Sequence, residues 1–513
     1  MLERLRTTSS HWIIPALFIA NALSVLFFRH LVTLDGPMHV LHAAVIHDHW
    51  FGAECWAEGA HPAIGKSDLN LGDLVMVPLA RALPATVLHA FMVAIILALL
   101  GGGVLMLASA YAERVNVLIL FALPFTFNFL LLLGFFHFLV AVGVSFLCAA
   151  WWIRRPQARF QELLMLLCAF ALCAFAHRSG AVLLALLIGS HELLLFFTDR
   201  QHWIARWSPI PRRARIASSL IGSVVALWLV YRALFGPAAF TSPERHHPLH
   251  DLFTVRALLL VDSHHAERYL RIAIGFLLLF SLSAVQFHRW KNDRRARASD
   301  APLLAAVVLF ILSMLLRSPF AELLYFAERA QLVGWLLVAV WLGASPASSR
   351  CLNVALLMFL TACALRMVYI ERRMNLTSTD DRLAVEAVAH FEPHSMVIPV
   401  VLDHNWLTHH TTAYVALAHN GVVLTSRDHV GFTWDTRPPI ELLSYLEAPE
   451  NDWQWFTPYL SKHASPRIAH VVVFGRERPV DDPKWRTLSI ALAAYFTESF
   501  TNGYATVYTR KKQ

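Results

Sequence analysis

The segment from Leu34 to His49 concentrates side chains that can carry chemistry. Its carboxylates and imidazoles belong to Asp35, Asp48, His39, His42, His47 and His49. Pro37 suits the first turn of a helix, and Asp35 or the glycine after it suits the N-cap. His39, His42 and His49 then share one helix face, with Asp35 at its N-terminal end. This spacing predicts a general base or a divalent-metal site formed by Asp35, His39 and His42. The alternative is a capping carboxylate followed by a merely polar helix face.

Two further places carry the side chains that bind phosphate. His177-Arg178 follows one apolar run, and Arg329 begins another directly after Glu328. Arginine makes forked, charge-assisted hydrogen bonds to phosphate oxygens. Binding of a lipid phosphate by His177, Arg178 and Arg329 is therefore one interpretation. The alternatives are an Arg178 that extends to the membrane surface and a local ion pair of Arg329 with Glu322 or Glu328.

A second histidine-rich loop, 244–251, is a weaker metal candidate. Pro248 interrupts the helix that His246 and His250 would need in order to lie one turn apart. His409-His410 is weaker still. The chain has no nucleophile-elbow motif, no glycine-rich phosphate loop and no His-Glu-x-x-His motif.

The composition indicates which elements must position these residues. Of the 513 residues, 57% are hydrophobic and 15% are charged, against about 25% charged in ordinary globular proteins. A conventional soluble enzyme is excluded. The net charge of +8 comes from basic blocks between apolar runs, which indicates topology and not nucleic-acid binding. Of the cysteines only Cys55 lies in a polar segment, so a disulfide scaffold is excluded as well.

Apolar runs of near-spanning length predict a polytopic helical membrane protein with about eleven transmembrane helices. The runs lie near 12–28, 86–108, 116–131, 134–153, 162–176, 180–197, 216–235, 270–287, 302–316, 330–344 and 351–370. The stretch 115–152 reads as one long helix or as a hairpin. Basic residues at both of its ends favour the hairpin, because Lys- and Arg-rich connections lie on the cytoplasmic side.

The same rule predicts the topology of the other loops. The Arg-rich stretches 200–215 and 289–297 are expected in the cytoplasm, and loops 30–85, 236–269 and 317–329 on the outer side. The first run is interpreted as an uncleaved anchor with a cytoplasmic N-terminus. An odd number of spans places the C-terminus outside.

The chain changes character at Glu371, after which no further apolar run has spanning length. Residues 1–370 are therefore interpreted as the transmembrane domain and 371–513 as a small α/β domain on the outer face. Strands are predicted at Met396–Leu402 and His470–Phe474, and a turn at Asn420-Gly421. Ser378 is predicted to cap a new helix over Asp381–Phe391. The pattern leaves 406–418 open between helix and strand.

Two of these segments resemble motifs of the GT-C superfamily of integral-membrane glycosyltransferases. Asp35-Gly36-Pro37-Met38-His39 is similar to the Asp-Gly-Pro-x-His start of the first outer loop in uncharacterised bacterial members. Gly134-Phe135-Phe136-His137-Phe138 resembles their Gly-Phe-Tyr-Asn-Phe stretch, with His137 in place of the usual Asn. His177-Arg178 and Glu328-Arg329 also lie where such proteins carry His and Arg. The similarity extends to the topology of the whole chain.

The resemblance implies a GT-C-like fold and a glycosyltransferase of the bacterial inner membrane. Asp35 would act on the acceptor as base or metal ligand with His39 beside it, and a divalent metal ion is a possible cofactor. The donor would be a sugar on a polyprenyl phosphate, and the acceptor a lipid, a glycan or a protein. The alternatives are a transporter or flippase and a non-catalytic subunit of an envelope polysaccharide assembly. Transporters usually contain two related halves, which this sequence lacks.

Overall fold

The computed structural model describes most of the chain. The described residues are 10–27, 31–51, 60–62, 69–155, 157–208, 248–258, 265–292, 295–316, 325–345, 350–402, 407, 411, 413–419, 422–423, 432–434, 468–476 and 481–511. Several predicted features lie outside them: the span 216–235, most of the second histidine-rich loop, residues 317–324 with Glu322, the pair His409-His410 and the turn at Asn420-Gly421.

Helices dominate the described residues. In chain order they are α1 (Ser10–Ser24), α2 (Gly36–Phe51), α3 (Leu71–Met76), α4 (Ala85–Tyr111), α5 (Leu123–Thr126), α6 (Phe129–Leu132), α7 (Phe136–Ile153), α8 (Phe160–Ala176), α9 (Arg178–Thr198), α10 (Arg200–Trp207), α11 (Pro248–Phe253), α12 (His265–Asn292), α13 (Ala301–Leu315), α14 (Phe326–Ala344), α15 (Arg350–Ala387), α16 (Ala413–His419) and α17 (Pro483–Tyr495).

Seven helices in these described ranges are long and apolar enough to cross a membrane: α4, α7, α9, α12, α13, α14 and α15. Shorter apolar helical stretches occupy Trp12–Phe27, Val117–Leu132 and Phe160–Ala176. The prediction of a mostly helical, multi-span architecture is confirmed at this level. The predicted number of about eleven helices and the GT-C fold stay predictions.

The stretch between Arg114 and Trp152 is not one continuous helix. A 3₁₀ segment at Val117–Ala122 is followed by the short helices α5 and α6 and then by α7. Asn128 stabilises the break between α5 and α6, because its side-chain amide donates to the carbonyls of Phe125 and Thr126, each at 3.0 Å. Its amide oxygen accepts the N–H of Leu131 at 3.0 Å. A buried polar side chain thus replaces the helical hydrogen bonds at this point.

The chain divides into two compact units. Unit 1 comprises Met1–Ser24, Ala94–Leu131 and Phe135–Ile370, and unit 2 comprises Val25–Val93, Leu132–Gly134 and Glu371–Gln513. Unit 2 therefore joins the first predicted outer loop to the C-terminal residues. The separation into residues 1–370 and 371–513 stays a prediction about domains.

Helix α14 forms the core of unit 1, since nearly every one of its residues is buried. Trp335 on this helix packs against Phe125 and Phe310, with ring centroids 6.2 and 5.0 Å apart. Arg366 on α15 is also buried and donates to three backbone carbonyls, the nearest that of Leu258 at 2.9 Å. A polar group inside an apolar bundle needs such partners, and here they tie α15 to the end of α5 and to the 3₁₀ turn at Arg256–Leu258.

The C-terminal part of unit 2 contains a five-stranded sheet, which confirms the predicted small sheet domain. The strands are β1 (Ala60–Pro62), β2 (Met396–Val401), β3 (Val422–Val423), β4 (Phe432–Trp434), β5 (Ile468–Phe474), β6 (Phe496–Thr501) and β7 (Ala505–Arg510). The sheet order is β3-β2-β5-β7-β6, with β2 parallel to β3 and β5 and with β7 antiparallel to β5 and β6. Strands β1 and β4 form a separate antiparallel pair.

The prediction that Ser378 caps a new helix is wrong. Helix α15 runs without interruption through this position and is 38 residues long. No glycine or proline occurs between Glu371 and Asp380 to end it. The hydroxyls of Thr377 and Thr379 donate to the carbonyls of Arg373 and Asn375, one turn earlier, at 3.2 and 2.9 Å. Hydroxyl side chains here bond back along the helix and do not start a new one.

Candidate functional site

Asp35 lies at the start of α2, in unit 2, as predicted from the proline that follows it. Its backbone carbonyl accepts the N–H of His39 at 3.0 Å, which is the first hydrogen bond of the helix. The N–H of Gly36 donates to the hydroxyl of Thr33 at 3.1 Å. Asp35 and His39 are both half-buried. The carboxylate therefore lies near the positive end of the helix dipole, where negative charge is stabilised.

Asp35 and His39 both contact Gly134, which is 95 residues beyond His39 in the sequence. Nε2 of His39 donates to the Gly134 carbonyl at 2.7 Å. Gly134 has φ +83°, and a Cβ there would lie 2.6 Å from Cβ of Asp35 and 2.9 Å from its backbone nitrogen. Both the backbone conformation and the space therefore require glycine. We call Asp35, His39 and Gly134 the carboxylate cluster.

A row of buried hydrogen bonds begins at Thr33, which accepts the N–H of Gly36, and continues through His89 to Tyr414. Nε2 of His89, on α4, is 2.9 Å from the Thr33 hydroxyl, and its Nδ1 is 3.0 Å from the Tyr414 hydroxyl. All three side chains are buried. Burial, followed by the negative charge of Asp381, raises the pKa of Tyr414 well above its ordinary value, so the phenol stays protonated. Sequence reasoning missed these residues, although a histidine inside an apolar run was a usable signal.

The predicted metal ligands do not form a group. Nδ1 of His42 lies 3.8 Å from Oδ1 of the buried Asp73, whereas Nε2 of His39 donates a hydrogen bond to the Gly134 carbonyl. Among the residues that the structure describes, no three His, Cys, Asp or Glu side chains lie close enough together to hold a metal ion. Metal binding by this loop stays an untested prediction.

In unit 1, Arg329 lies over two aromatic rings at the start of α14. Its guanidinium carbon is 4.3 Å from the ring centroid of Phe135 and 4.9 Å from that of Phe138. Nη1 is 3.4 Å from Nε2 of His177, and the side chain is 7% exposed. Stacking on aromatic faces fixes the plane of a guanidinium group. We call Arg329, His177, Phe135 and Phe138 the arginine cluster.

His177 is the N-cap of α9. Its Nδ1 accepts the N–H of Ser179 at 3.2 Å and lies 2.7 Å from the hydroxyl of the same residue. Burial, and then the positive charges of Arg329 and Arg178, lower the pKa of His177 to about 4. The imidazole is therefore neutral at physiological pH. Arg178 itself is exposed on the first turn of α9.

Glu328, beside Arg329 in sequence, forms an ion pair with Arg256. Its Oε1 is 3.2 Å from Nε of Arg256, and Arg256 also lies 3.7 Å from the carboxylate of Asp251. Glu328 is 1% exposed, so this ion pair neutralises a charge inside the unit. Of the predicted phosphate-binding residues, the structure brings His177 and Arg329 together.

Comparison of the chain with protein-family models, with curated proteins and with solved structures finds no match. The similarity to GT-C glycosyltransferases stays a prediction from the two motifs. Contacts within each unit thus define two separate candidate sites: the carboxylate cluster with its supporting chain in unit 2, and the arginine cluster in unit 1.

Proposed function

We propose that this chain is a membrane glycosyltransferase that moves a sugar from a polyprenyl-phosphate donor to the hydroxyl of a lipid, glycan or protein acceptor. The observation that carries the proposal is the contact between the segments at Asp35 and Gly134. These are the two segments that resemble glycosyltransferase motifs, and they meet although 95 residues separate His39 from Gly134. A glycine with no room for a side chain holds a half-buried carboxylate in one position, as a catalytic base requires.

In this reaction Asp35 takes the proton of the acceptor hydroxyl. The acceptor oxygen forms a bond to the anomeric carbon of the sugar as the bond from that carbon to the phosphate oxygen breaks. The polyprenyl phosphate leaves with the bonding electron pair. Because Nε2 of His39 donates to Gly134, a neutral His39 presents Nδ1 as an acceptor. His39 can thus orient the hydroxyl, with a smaller share of the catalysis than Asp35.

The proposal assigns the arginine cluster to the donor. Negative charge grows on the leaving phosphate, and a cation held in advance stabilises it without reorganisation. The aromatic rings under Arg329 hold the guanidinium plane ready for a forked contact with phosphate oxygens. Arg178, exposed one residue from His177, is a second cation for the same phosphate.

The apolar helices favour a donor that is itself a lipid, because such a substrate is dissolved in the bilayer that seven of them could span. The bacterial inner membrane, a cytoplasmic N-terminus and an outer C-terminal domain belong to the same proposal. They rest on the alternation of Arg-rich loops.

The test uses the full-length protein reconstituted in lipid vesicles. A panel of radiolabelled hexosyl and pentosyl polyprenyl phosphates is supplied with membrane extract as the source of acceptor, and the release of polyprenyl phosphate is measured. We expect release with at least one donor, and a loss of several orders of magnitude in Asp35→Asn, since asparagine still suits an N-cap. His49→Ala, on the exposed surface of the same helix, is the matched control and should keep full activity.

Two outcomes oppose the proposal. Movement of the labelled donor across the bilayer without release of polyprenyl phosphate would indicate a flippase. Equal release by wild type and Asp35→Asn, with both proteins folded, would reduce Asp35 to a structural residue of the helix start.

A further inference from the structure

Two thiols meet between helices α7 and α8 in unit 1. Cys148 lies on α7 and Cys173 on α8, and their side chains are hydrogen-bonded to each other. Ser145, three residues before Cys148, is a second hydrogen-bond partner of Cys173. The hydroxyl of Ser145 donates to the carbonyls of Ala141 and Gly180, at 2.6 and 2.9 Å. Because a hydroxyl has one proton, the Ser145 oxygen accepts the thiol of Cys173, whose sulfur in turn accepts the thiol of Cys148.

The geometry of the two helices directs these thiols toward each other. Only the six residues 154–159 separate the end of α7 from the start of α8, and so short a connection joins antiparallel helices. Side chains tilt toward the N-terminus of their own helix. Cys148 therefore leans back toward the level of Ser145, whereas Cys173, which contacts Ser145, leans toward the level of Cys148. Facing sulfurs are the arrangement that a disulfide bond requires.

The two cysteines differ in exposure. Cys173 is 0% exposed, whereas Cys148 is half-buried. Between residues 140 and 153 of α7, the residues that are not buried are Leu147, Cys148 and Trp151, which form one narrow stripe at helical spacing. Because α7 is long and apolar enough to cross a membrane, this stripe is open to the acyl chains of the bilayer. A reagent dissolved in lipid therefore reaches Cys148 first and Cys173 only through it.

We propose that Cys148 and Cys173 form a dithiol that reduces lipid hydroperoxides, an activity separate from glycosyl transfer. The sulfur of Cys148 attacks the terminal peroxide oxygen, the O–O bond breaks, and the lipid alcohol leaves with the thiol proton. Cys148 is then a sulfenic acid, which condenses with a nearby thiol. The sulfur of Cys173 attacks the sulfur of Cys148, the S–O bond breaks, and water leaves with the proton of Cys173. One hydroperoxide is thus reduced by two electrons, and one disulfide forms.

The test exposes the reduced full-length protein, in lipid vesicles, to linoleic acid hydroperoxide. The protein is then denatured, its free thiols are labelled with N-ethylmaleimide, and peptides are mapped by mass spectrometry. Of the six cysteines, two should escape the label in the wild type, with the peptides of Cys148 and Cys173 linked. In Cys173→Ala the reaction should stop at a sulfenic acid on Cys148, which dimedone traps. In Cys148→Ala the buried Cys173 should stay reduced.

Cys168→Ala is the matched control, because Cys168 is exposed on the same helix as Cys173. It should form the same disulfide as the wild type. Hydrogen peroxide, which dissolves in water and not in hydrocarbon, should oxidise the pair more slowly at equal concentration. Absence of the linked peptides in the wild type would overturn the proposal without reference to any variant. Equal rates with both peroxides, or equal dimedone labelling of Cys148 and Cys168 in Cys173→Ala, would also overturn it. Thermal unfolding shows whether each variant remains folded.

Discussion

Replacing Gly134 by alanine tests the contact on which the carboxylate cluster depends. Two costs add at this position. A non-glycine residue at φ +83° pays about 1–2 kcal/mol for the left-handed conformation. The new Cβ would also lie within 3 Å of both the backbone and the side chain of Asp35, and overpacking of this kind costs about 1–3 kcal/mol. The sum is about 2–5 kcal/mol.

Gly503→Ala separates the two costs. Gly503 has nearly the same φ, +82°, but a Cβ there would meet nothing within 4 Å. Gly503→Ala should therefore lower the free energy of unfolding only by the conformational contribution, about 1–2 kcal/mol. Gly102→Ala, inside helix α4 with equally open space, should stabilise the protein by up to about 1 kcal/mol, because alanine favours helix more than glycine does.

The assay is thermal unfolding of the detergent-solubilised protein, followed by tryptophan fluorescence. With about 3 °C per kcal/mol for a unit of this size, we expect Gly134→Ala to unfold about 6–15 °C below wild type and Gly503→Ala about 3–6 °C below. Gly102→Ala should unfold at or above the wild-type temperature. If Gly134→Ala and Gly503→Ala unfold at the same temperature, the tight contact with Asp35 is refuted, and with it the main support for the carboxylate cluster.

Three further predictions concern the other residues of the site. Arg329→Lys keeps the charge but loses the planar group that stacks on the aromatic rings, so kcat/KM for the lipid-linked donor should fall about tenfold. An unchanged kcat/KM in steady-state assays would indicate that Arg329 has only a structural role. Tyr414→Phe removes the hydroxyl that bonds to His89 and should cost about 1 kcal/mol, measured as a lower unfolding temperature; no change would indicate that the bond is absent. The folded-state pKa of His177 is about 4, below its value of about 6.5 in the unfolded chain, so its contribution to stability is complete above pH 6.5 and is lost as the pH falls toward 4. His177→Asn, which can still cap the helix, should therefore weaken the dependence of the unfolding temperature on pH between 6.5 and 4, and an identical dependence in both proteins would contradict the lowered pKa.

The sequence predicted those helices and strands that depend mainly on residues close together in the chain. Apolar runs of spanning length predicted the long helices, since a membrane selects for continuous hydrophobicity. Pro37 predicted the start of α2, and short runs rich in valine and isoleucine predicted strands β2 and β5. The false cap at Ser378 shows the limit of such patterns. A serine followed three residues later by an acid suits a helix start, but nothing before it ends the helix already in progress.

The candidate site was only partly predictable, because its contacts are long-range. The sequence indicated Asp35 and His39 but not that His39 bonds to Gly134. It indicated His177 and Arg329 as separate phosphate-binding candidates, although 152 positions separate two residues that lie side by side. His89 and Tyr414 were missed, because nothing near either residue indicates its partner.

The hydrogen bond between His89 and Tyr414 determines when, during synthesis of the chain, the hydrogen bonds around Asp35 can be completed. The two residues are 325 positions apart. At about 5–20 residues per second, the ribosome completes Tyr414 roughly 16–65 s after His89. Throughout that interval the nascent chain contains Thr33, Gly36 and the helix that follows, but it lacks the phenol at the far end of the hydrogen-bonded chain. A product that terminates early would keep the apolar helices and still leave this support unfinished, so the segment around Asp35 acquires its full set of hydrogen bonds only in the last fifth of synthesis.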